Sequence, residues 1–186
     1  MVKKNACIFI SGKGSNLKKL IIRSRDYNFP VKIKSVVTNN KKAEGLIYAK
    51  KNSIPIFFFN SKSKIIEKKL ISFLIYHKIS LICLAGYMKI ISKNLLGHFN
   101  EKIINIHPSL LPKFKGLDTF SRILKKKERK TGCTVHYVNE KLDSGRIILQ
   151  KGFFISSTDT ESSIKKKTQK LEHLAFSEAI LKIFRY

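Results

Sequence analysis

The stretch Ile103-Ile104-Asn105-Ile106-His107-Pro108-Ser109-Leu110-Leu111-Pro112 decides the reading of this chain. Its first five positions are largely β-branched and apolar and are halted by a proline, which predicts a short buried strand over 103–107. Successive strand side chains point to opposite faces, so Asn105 and His107 share a face at the strand's C-terminal end. In an open parallel α/β sheet that end is where ligands bind. A carboxamide beside an imidazole there can hold a developing oxyanion and move a proton.

Upstream of this stretch, strands alternate with helices. Residues 81–85 form a fully apolar run, as a central parallel strand requires, closed by Gly86-Tyr87-Met88-Lys89. A short helix joins it to 103–107. Strands are predicted over 7–10, 31–38 and 54–59, the last near an edge or starting at Pro55. Helices are predicted over 15–25, with Leu17, Leu20 and Ile21 at core spacing, over about 43–51, and over 63–77. Downstream, a loop over 108–116 leads to a helix over about 118–127. Strands over 133–138 and 146–154 flank Leu142-Asp143-Ser144-Gly145 as a hairpin-like pair. A long helix begins near Thr160, with Thr158 and Glu161 offering a capping box, and turns Ile164, Thr168, Leu171 and Ala175 to one face. The pattern predicts an α/β fold: a mostly parallel, Rossmann-like open sheet with helices on both faces, an antiparallel strand addition and a long C-terminal helix. We expect one domain over 1–186, with a phosphate-binding βα half over 1–100 and a catalytic half over 101–186.

The length of 186 residues suits one domain with a substantial core, and a 43% hydrophobic fraction suits a soluble globular protein. No apolar run is long enough for a membrane helix. The basic start, Met1-Val2-Lys3-Lys4-Asn5, runs into an apolar stretch too short for a signal peptide, which predicts a cytoplasmic location. Cys7, Cys83 and Cys133 lie in strand-like apolar contexts without metal spacing and read as reduced, buried thiols. The net charge of +26 would suit a nucleic-acid binder. The positive charge is nearly all Lys, however, and it accompanies abundant Ile, Phe and Asn along the whole chain. That is the profile of A/T-rich coding, and we expect no specific nucleic-acid partner beyond weak, salt-sensitive polyanion affinity.

The loop Gly12-Lys13-Gly14-Ser15-Asn16-Leu17 joins the first strand to the first helix. Glycines let backbone N–H groups approach a ligand, and a helix N-terminus favours an anion. Leu17, with Lys18-Lys19 following, stands where a dinucleotide fingerprint needs its third glycine, so one phosphate fits better than a pyrophosphate. A tight turn is the structural alternative. Asp143, in a Gly-containing turn, is either an Asx-turn residue or a carboxylate that raises the proton affinity of His107. His136, mid-strand, reads as a packing or supporting residue. His77 and His98 read as structural, and His173 could face either way.

Taken together, these motifs resemble those of the phosphoribosylglycinamide formyltransferases, folate-dependent enzymes of purine (IMP) synthesis. The likeness covers essentially the whole chain. It rests on residues 10–17, 84–91 and 104–113, on Gly132-Cys133-Thr134-Val135-His136-Tyr137-Val138, on Leu142-Asp143-Ser144-Gly145 and on Glu172-His173, in the family's order and spacing. It implies a formyltransferase fold and transfer of the formyl group of 10-formyltetrahydrofolate to the amino group of N1-(5-phospho-D-ribosyl)glycinamide. By resemblance, Asn105 and protonated His107 would stabilise the tetrahedral oxyanion while Asp143 keeps His107 charged and helps relay the amine's proton. Gly14, Ser15 and Asn16 would hold the substrate phosphate, and Gln169 and Glu172 would meet the ribonucleotide. Met88, Lys89, Ile90 and Ile91, with Asn105 and Lys64, would meet the folate. The resemblance implies no metal and a monomer or weak homodimer.

Some positions depart from the family pattern. Lys89 stands where many relatives have Arg, Asp118 and Phe120 stand where histidines are expected, and the sequence ends at Tyr186, short of a tail that many relatives carry. Methionyl-tRNA formyltransferase shares Asn-x-His and Ser-Leu-Leu-Pro but has a further C-terminal domain and lacks the phosphate loop. Formyltetrahydrofolate hydrolase carries an N-terminal regulatory domain. A basic nucleic-acid-binding protein with a decayed site is the alternative from a different class, and the intact trio argues against it.

Overall fold

The computed structural model describes residues 2–60 and 62–184; Met1, Ser61, Arg185 and Tyr186, and with them the expected ends of the domain, lie outside the described residues. Seven strands hydrogen-bond in the order β3-β2-β1-β4-β5-β6-β7. They are β1 (Lys4–Ile10), β2 (Val31–Thr38), β3 (Ile56–Phe58), β4 (Ile79–Leu84), β5 (Ile103–His107), β6 (Lys130–Tyr137) and β7 (Ile147–Phe154). The helices are α1 (Ser15–Ser24), α2 (Leu46–Lys51), α3 (Lys64–Tyr76), α4 (Lys93–His98), α5 (Thr119–Lys125) and α6 (Glu161–Phe184). The chain divides into two compact units, Met1–Ile104 and Asn105–Tyr186.

In the first unit β1 pairs in parallel with both β2 and β4, and β2 with β3. Every β1 side chain from Ala6 to Ile10 is fully buried, as expected of a strand covered on both faces. Complete burial of Phe9 alone is worth about 1.5–3 kcal/mol. Pro55 precedes β3, and its carbonyl accepts from Val36 N–H at 2.9 Å. Having no N–H, a proline is tolerated at the start of an edge strand. Ser63 and Ser92 cap α3 and α4 by accepting from Ile66 and Leu95 N–H at 3.3 and 3.1 Å. The direction of strand addition reverses between β1 and β4, so the loops after those two strands flank a switch point, the place where open α/β sheets bind ligands.

In the second unit β6 and β7 run antiparallel. On β7 buried or half-buried positions alternate with exposed ones, the pattern of a strand solvated on one face. Helix α6 packs on β6 and β7 through Ile164, Thr168, Ala175, Phe176, Ala179 and Ile180. Leu171, expected on that face, is only half-buried. The capping box also differs from the expected pair: Thr160 Oγ1 accepts from Ser163 N–H at 3.2 Å while Ser163 Oγ accepts from Thr160 N–H at 3.0 Å. Asp159 carries the charge at this end. Lys167, Ser163 Oγ–H and Ser156 N–H pull its pKa down to about 2.

Candidate active site

Strand β5 places Asn105 and His107 on one face, as its alternation predicts, and the turn between β6 and β7 brings Asp143 to both. His107 Nδ1 lies 3.3 Å from Asp143 Oδ2. Asn105 Nδ2 donates to Asp143 Oδ1 at 3.4 Å. A fourth side chain completes the group: His136 Nε2 lies 3.3 Å from Asn105 Nδ2 and 3.6 Å from Asp143 Oδ1. The Asp143 carboxylate thus sits between two imidazoles, and all three of these side chains are buried.

The backbone reason for this placement is local. Asp143 adopts a left-handed conformation (φ 44°), which Asp tolerates better than most residues. Two positions on, Gly145 passes so close to β6 that a Cβ would stand 1.7 Å from the Tyr137 carbonyl oxygen. Only glycine fits there, and it sets the path of the turn. From the other side, the loop after β5 supplies two main-chain contacts. The Phe114 carbonyl accepts from His107 Nε2 at 2.8 Å, and Gly116 N–H donates to Asp143 Oδ2 at 2.8 Å. Arg122 braces that loop by donating to the Lys115 carbonyl at 2.6 Å and the Leu117 carbonyl at 3.2 Å.

Burial pushes the His107 pKa below its ordinary value; the Phe114 carbonyl and Asp143 raise it, while His136 and Arg122 add to the depression. Burial thus outweighs Asp143 in the resting ring, where the carboxylate favours the charged form as expected from the sequence. Desolvation wins because the ring is shut away from water. A neutral ring that donates Nε2–H to Phe114 leaves Nδ1 bare and facing Asp143. A proton arriving at Nδ1 would fall between imidazole and carboxylate. Burial raises the Asp143 pKa, but the His136 contact, the Gly116 N–H and His107 outweigh it, and the net shift is downward. Asp143 is ionised at neutral pH.

In the first unit the glycine loop follows β1. Gly14, at the cap of α1, has φ 69°, and a Cβ on it would meet the Gly45 Cα at 2.6 Å. This interlock is closed by Gly45 N–H donating to the Gly12 carbonyl at 3.0 Å. The first turn of α1 carries no acidic side chain, so nothing there opposes an anion. Ser11 ties this loop to its neighbours. Its hydroxyl donates to Asn39 Oδ1 at 2.5 Å and accepts from Met88 N–H at 2.8 Å, and its N–H donates to the Gly86 carbonyl at 3.2 Å. Gly14→Ala is expected to cost about 1–3 kcal/mol from the backbone conformation alone. At about 2–4 °C per kcal/mol, thermal unfolding would show this directly.

Met88 and Ile90, after β4, are 66% and 80% exposed, whereas Ile91 is buried. Lys89 is exposed, as is Lys64 at the first position of α3. In the second unit, Gln169 and Glu172 lie three apart on α6, both half-buried. The charge of Glu172, together with a larger effect of burial, raises the Cys133 thiol to about 12.

The sequence matches the formyl transferase family over residues 4–180. The chain belongs to that family. Its likeness to formyl transferases of known role is extensive. Phosphoribosylglycinamide formyltransferase of Bacillus subtilis is 38% identical over 181 residues, which is 95% of this chain and 93% of that protein. The trifunctional purine biosynthetic protein adenosine-3 of Homo sapiens is 36% identical over 96% of this chain, which spans 18% of that longer protein. The crystal structure of phosphoribosylglycinamide formyltransferase from Brucella melitensis superposes with a TM-score of 0.91 at 36% identity, covering 98% of this chain and 96% of the other.

Of the residues singled out in the sequence, this formyl transferase brings Asn105, His107 and Asp143 together within its second unit. Gly14, Ser15, Asn16, Lys64, Met88, Lys89, Ile90 and Ile91 lie in the first. His136, expected from the sequence to be a packing or supporting residue, stands in support of Asn105 and Asp143. Its signal was the alternation Thr134-Val135-His136, which puts two polar side chains on one strand face. Thr134 Oγ1 uses that face to donate to the Ser109 carbonyl at 2.7 Å and accept from Leu111 N–H at 3.0 Å, fixing the start of the loop that reaches His107. The Phe114 carbonyl and Gly116 N–H left no side-chain signal at all.

Proposed function

We propose that the chain is a phosphoribosylglycinamide formyltransferase whose chemistry is carried by Asn105, His107 and Asp143. It transfers the formyl group of 10-formyltetrahydrofolate to the amino group of glycinamide ribonucleotide in purine biosynthesis. The observation that carries this assignment of roles is the Asp143 carboxylate, ionised and shared by His107 and Asn105 at the end of β5.

The amine lone pair forms a bond to the formyl carbon, and the C=O electrons move onto oxygen. Asn105 Nδ2–H and His107 Nε2–H are the donors that this oxyanion draws; in the resting chain both are held by protein acceptors. The ammonium sheds a proton, which His107 takes at Nδ1 against Asp143. The imidazolium so formed strengthens the oxyanion contact at the moment the negative charge is greatest. Collapse of the intermediate restores the formyl C=O, breaks the bond to N10 of the folate and returns the proton to that nitrogen. Holding amine and formyl carbon together supplies much of the remaining acceleration.

Gly14, Ser15 and Asn16 take the substrate phosphate at the N-terminus of α1, and Gln169 and Glu172 meet the ribonucleotide. The open apolar side chains of Met88 and Ile90 are covered by the pterin, with Ile91 beneath, Lys89 and Lys64 toward the acidic tail, and Asn105 reaching the formyl group. Lysine contacts carboxylates as a point charge and not as a fork, so the tail is held less directionally than by an arginine. The reading uses no metal, a cytoplasmic location and a monomer or weak homodimer, and it assigns no specific role to nucleic acid.

Purified protein is expected to formylate glycinamide ribonucleotide from 10-formyltetrahydrofolate and to leave methionyl initiator tRNA unmodified. A direct assay with both acceptors checks this. Transfer to the tRNA alone would replace the reading with that of a methionyl-tRNA formyltransferase.

A further inference from the structure

We infer that His136 is a positioning residue for formyl transfer, acting through Asn105 by setting which way round its amide lies. The inference rests on the reading that Asn105 donates to the oxyanion. His136 sits in β6 with 2% exposure. Its Nδ1 lies 2.8 Å from the Tyr137 carbonyl oxygen, which can only accept, so Nδ1 carries the ring hydrogen. In its neutral form the ring then has a bare Nε2, which can only accept; Asp143 Oδ1, 3.6 Å from it, lies beyond hydrogen-bond reach. The atom 3.3 Å from Nε2 is Asn105 Nδ2, able only to donate. The same Nδ2 donates its second hydrogen to Asp143 Oδ1 at 3.4 Å.

The alternative orientation of the amide is disfavoured twice. Turning Asn105 by half a rotation would set its carbonyl oxygen against the bare imidazole nitrogen and against the carboxylate. Both contacts would then be between lone pairs in a buried place, where unmatched polar atoms are most costly. With the sense fixed, the amide keeps one hydrogen on His136 and turns the other, held at rest by the longer Asp143 contact, to the oxyanion. If the amide were free to invert, it would present an acceptor to developing negative charge for part of the time. The chain from the Tyr137 carbonyl through His136 to Asn105 therefore transmits orientation and carries no proton. Nothing in it requires His136 to touch a substrate.

The test is a double-mutant cycle between His136→Phe and Asn105→Ala, with His136→Gln as the conservative variant. Gln Oε1 falls near the place of Nε2 and accepts without titrating. Removing an oxyanion donor outright typically costs about 10²–10³ in kcat. A donor present but unoriented should cost less, so His136→Phe is expected to lower kcat about 10- to 100-fold, with KM for both substrates within about threefold. His136→Gln should stay within about fivefold of the parent. On an Asn105→Ala background, His136→Phe should add less than about threefold, because the two act as one unit. Effects that multiply in the double variant, a Gln variant as impaired as the Phe variant, or a loss confined to KM would each overturn the inference. An Asn105→Ala variant of near-parental activity would remove the donor role itself, and the inference with it, and the single variant alone reveals that case. If His136→Phe fails to fold, nitrogen NMR of the unmodified protein still decides: a hydrogen on His136 Nδ1 supports the inference, and a hydrogen on Nε2 of the neutral ring overturns it.

Discussion

Replacing His107 with alanine is expected to lower kcat by about 10²–10⁴-fold, the usual worth of a positioned acid–base group. The ring supplies two things at once: the Nε2–H that the oxyanion draws and the Nδ1 that takes the amine's proton against Asp143. Alanine removes both. It also strands the Phe114 carbonyl, whose ring donor is lost, and an unmatched buried acceptor costs about 1–3 kcal/mol. The variant should therefore melt lower than the parent yet remain folded at room temperature. Steady-state kinetics with both substrates saturating, beside circular-dichroism melts, separates the two effects. A folded variant within tenfold of the parent would remove His107 from the chemistry.

Asp143→Asn should fall nearly as far, by about 10²–10³ in kcat, and should also change the shape of the pH profile. His107 already has a depressed pKa, burial being the largest cause and Asp143 pulling the other way. Without the carboxylate the depression deepens. The acid limb of kcat/KM, where His107 takes a proton in the free enzyme, should move to lower pH while the plateau drops. Stability follows the same groups with a definite sign. The depressed Asp143 pKa contributes stability that is present above the ordinary carboxylate value of 3.8 and is lost as the pH falls through the folded value. The depressed His107 pKa likewise contributes stability present above 6.5 and lost on acidification. Denaturant titrations at pH 7 and pH 4 should show the Asn variant losing more stability on acidification than the parent, because its His107 pKa is depressed further while the Asp143 share of the parent is lost only below 3.8. An acid limb that moves upward instead would contradict the arrangement.

The order of strands and helices was legible because each element's own periodicity carries it. Strands β2 and β5 match the expected bounds, since each is closed by chemistry visible in the sequence: Asn39-Asn40 after one and Pro108 after the other. Strands β1 and β6 begin three residues earlier than expected, at Lys4 and Lys130, and β4 two residues earlier, at Ile79. Their first turns of ladder include polar residues that pair through backbone alone, which side-chain pattern cannot show. Helix α2 starts at Leu46, later than expected, because Ala43 to Gly45 form a turn whose Gly45 is pressed against Gly14. At the site, the trio was legible from residue types and spacing. The direction of the His107 pKa shift was not, because it depends on how completely the fold excludes water. The share of His136 was hidden for a related reason: its partners lie 31 residues away at Asn105 and in the turn at Asp143, brought together only by folding.

The turn that carries Asp143 lies beside exposed Leu142 and Ser144, and by exposure alone it looks like a surface segment open to change. The Gly145–Tyr137 approach contradicts that impression. Peptide tags, epitope insertions or lengthened loops placed between residues 142 and 145 should silence the enzyme without unfolding it. A library of insertions scored separately for soluble yield and for growth without purines would show those two scores diverging at this hairpin.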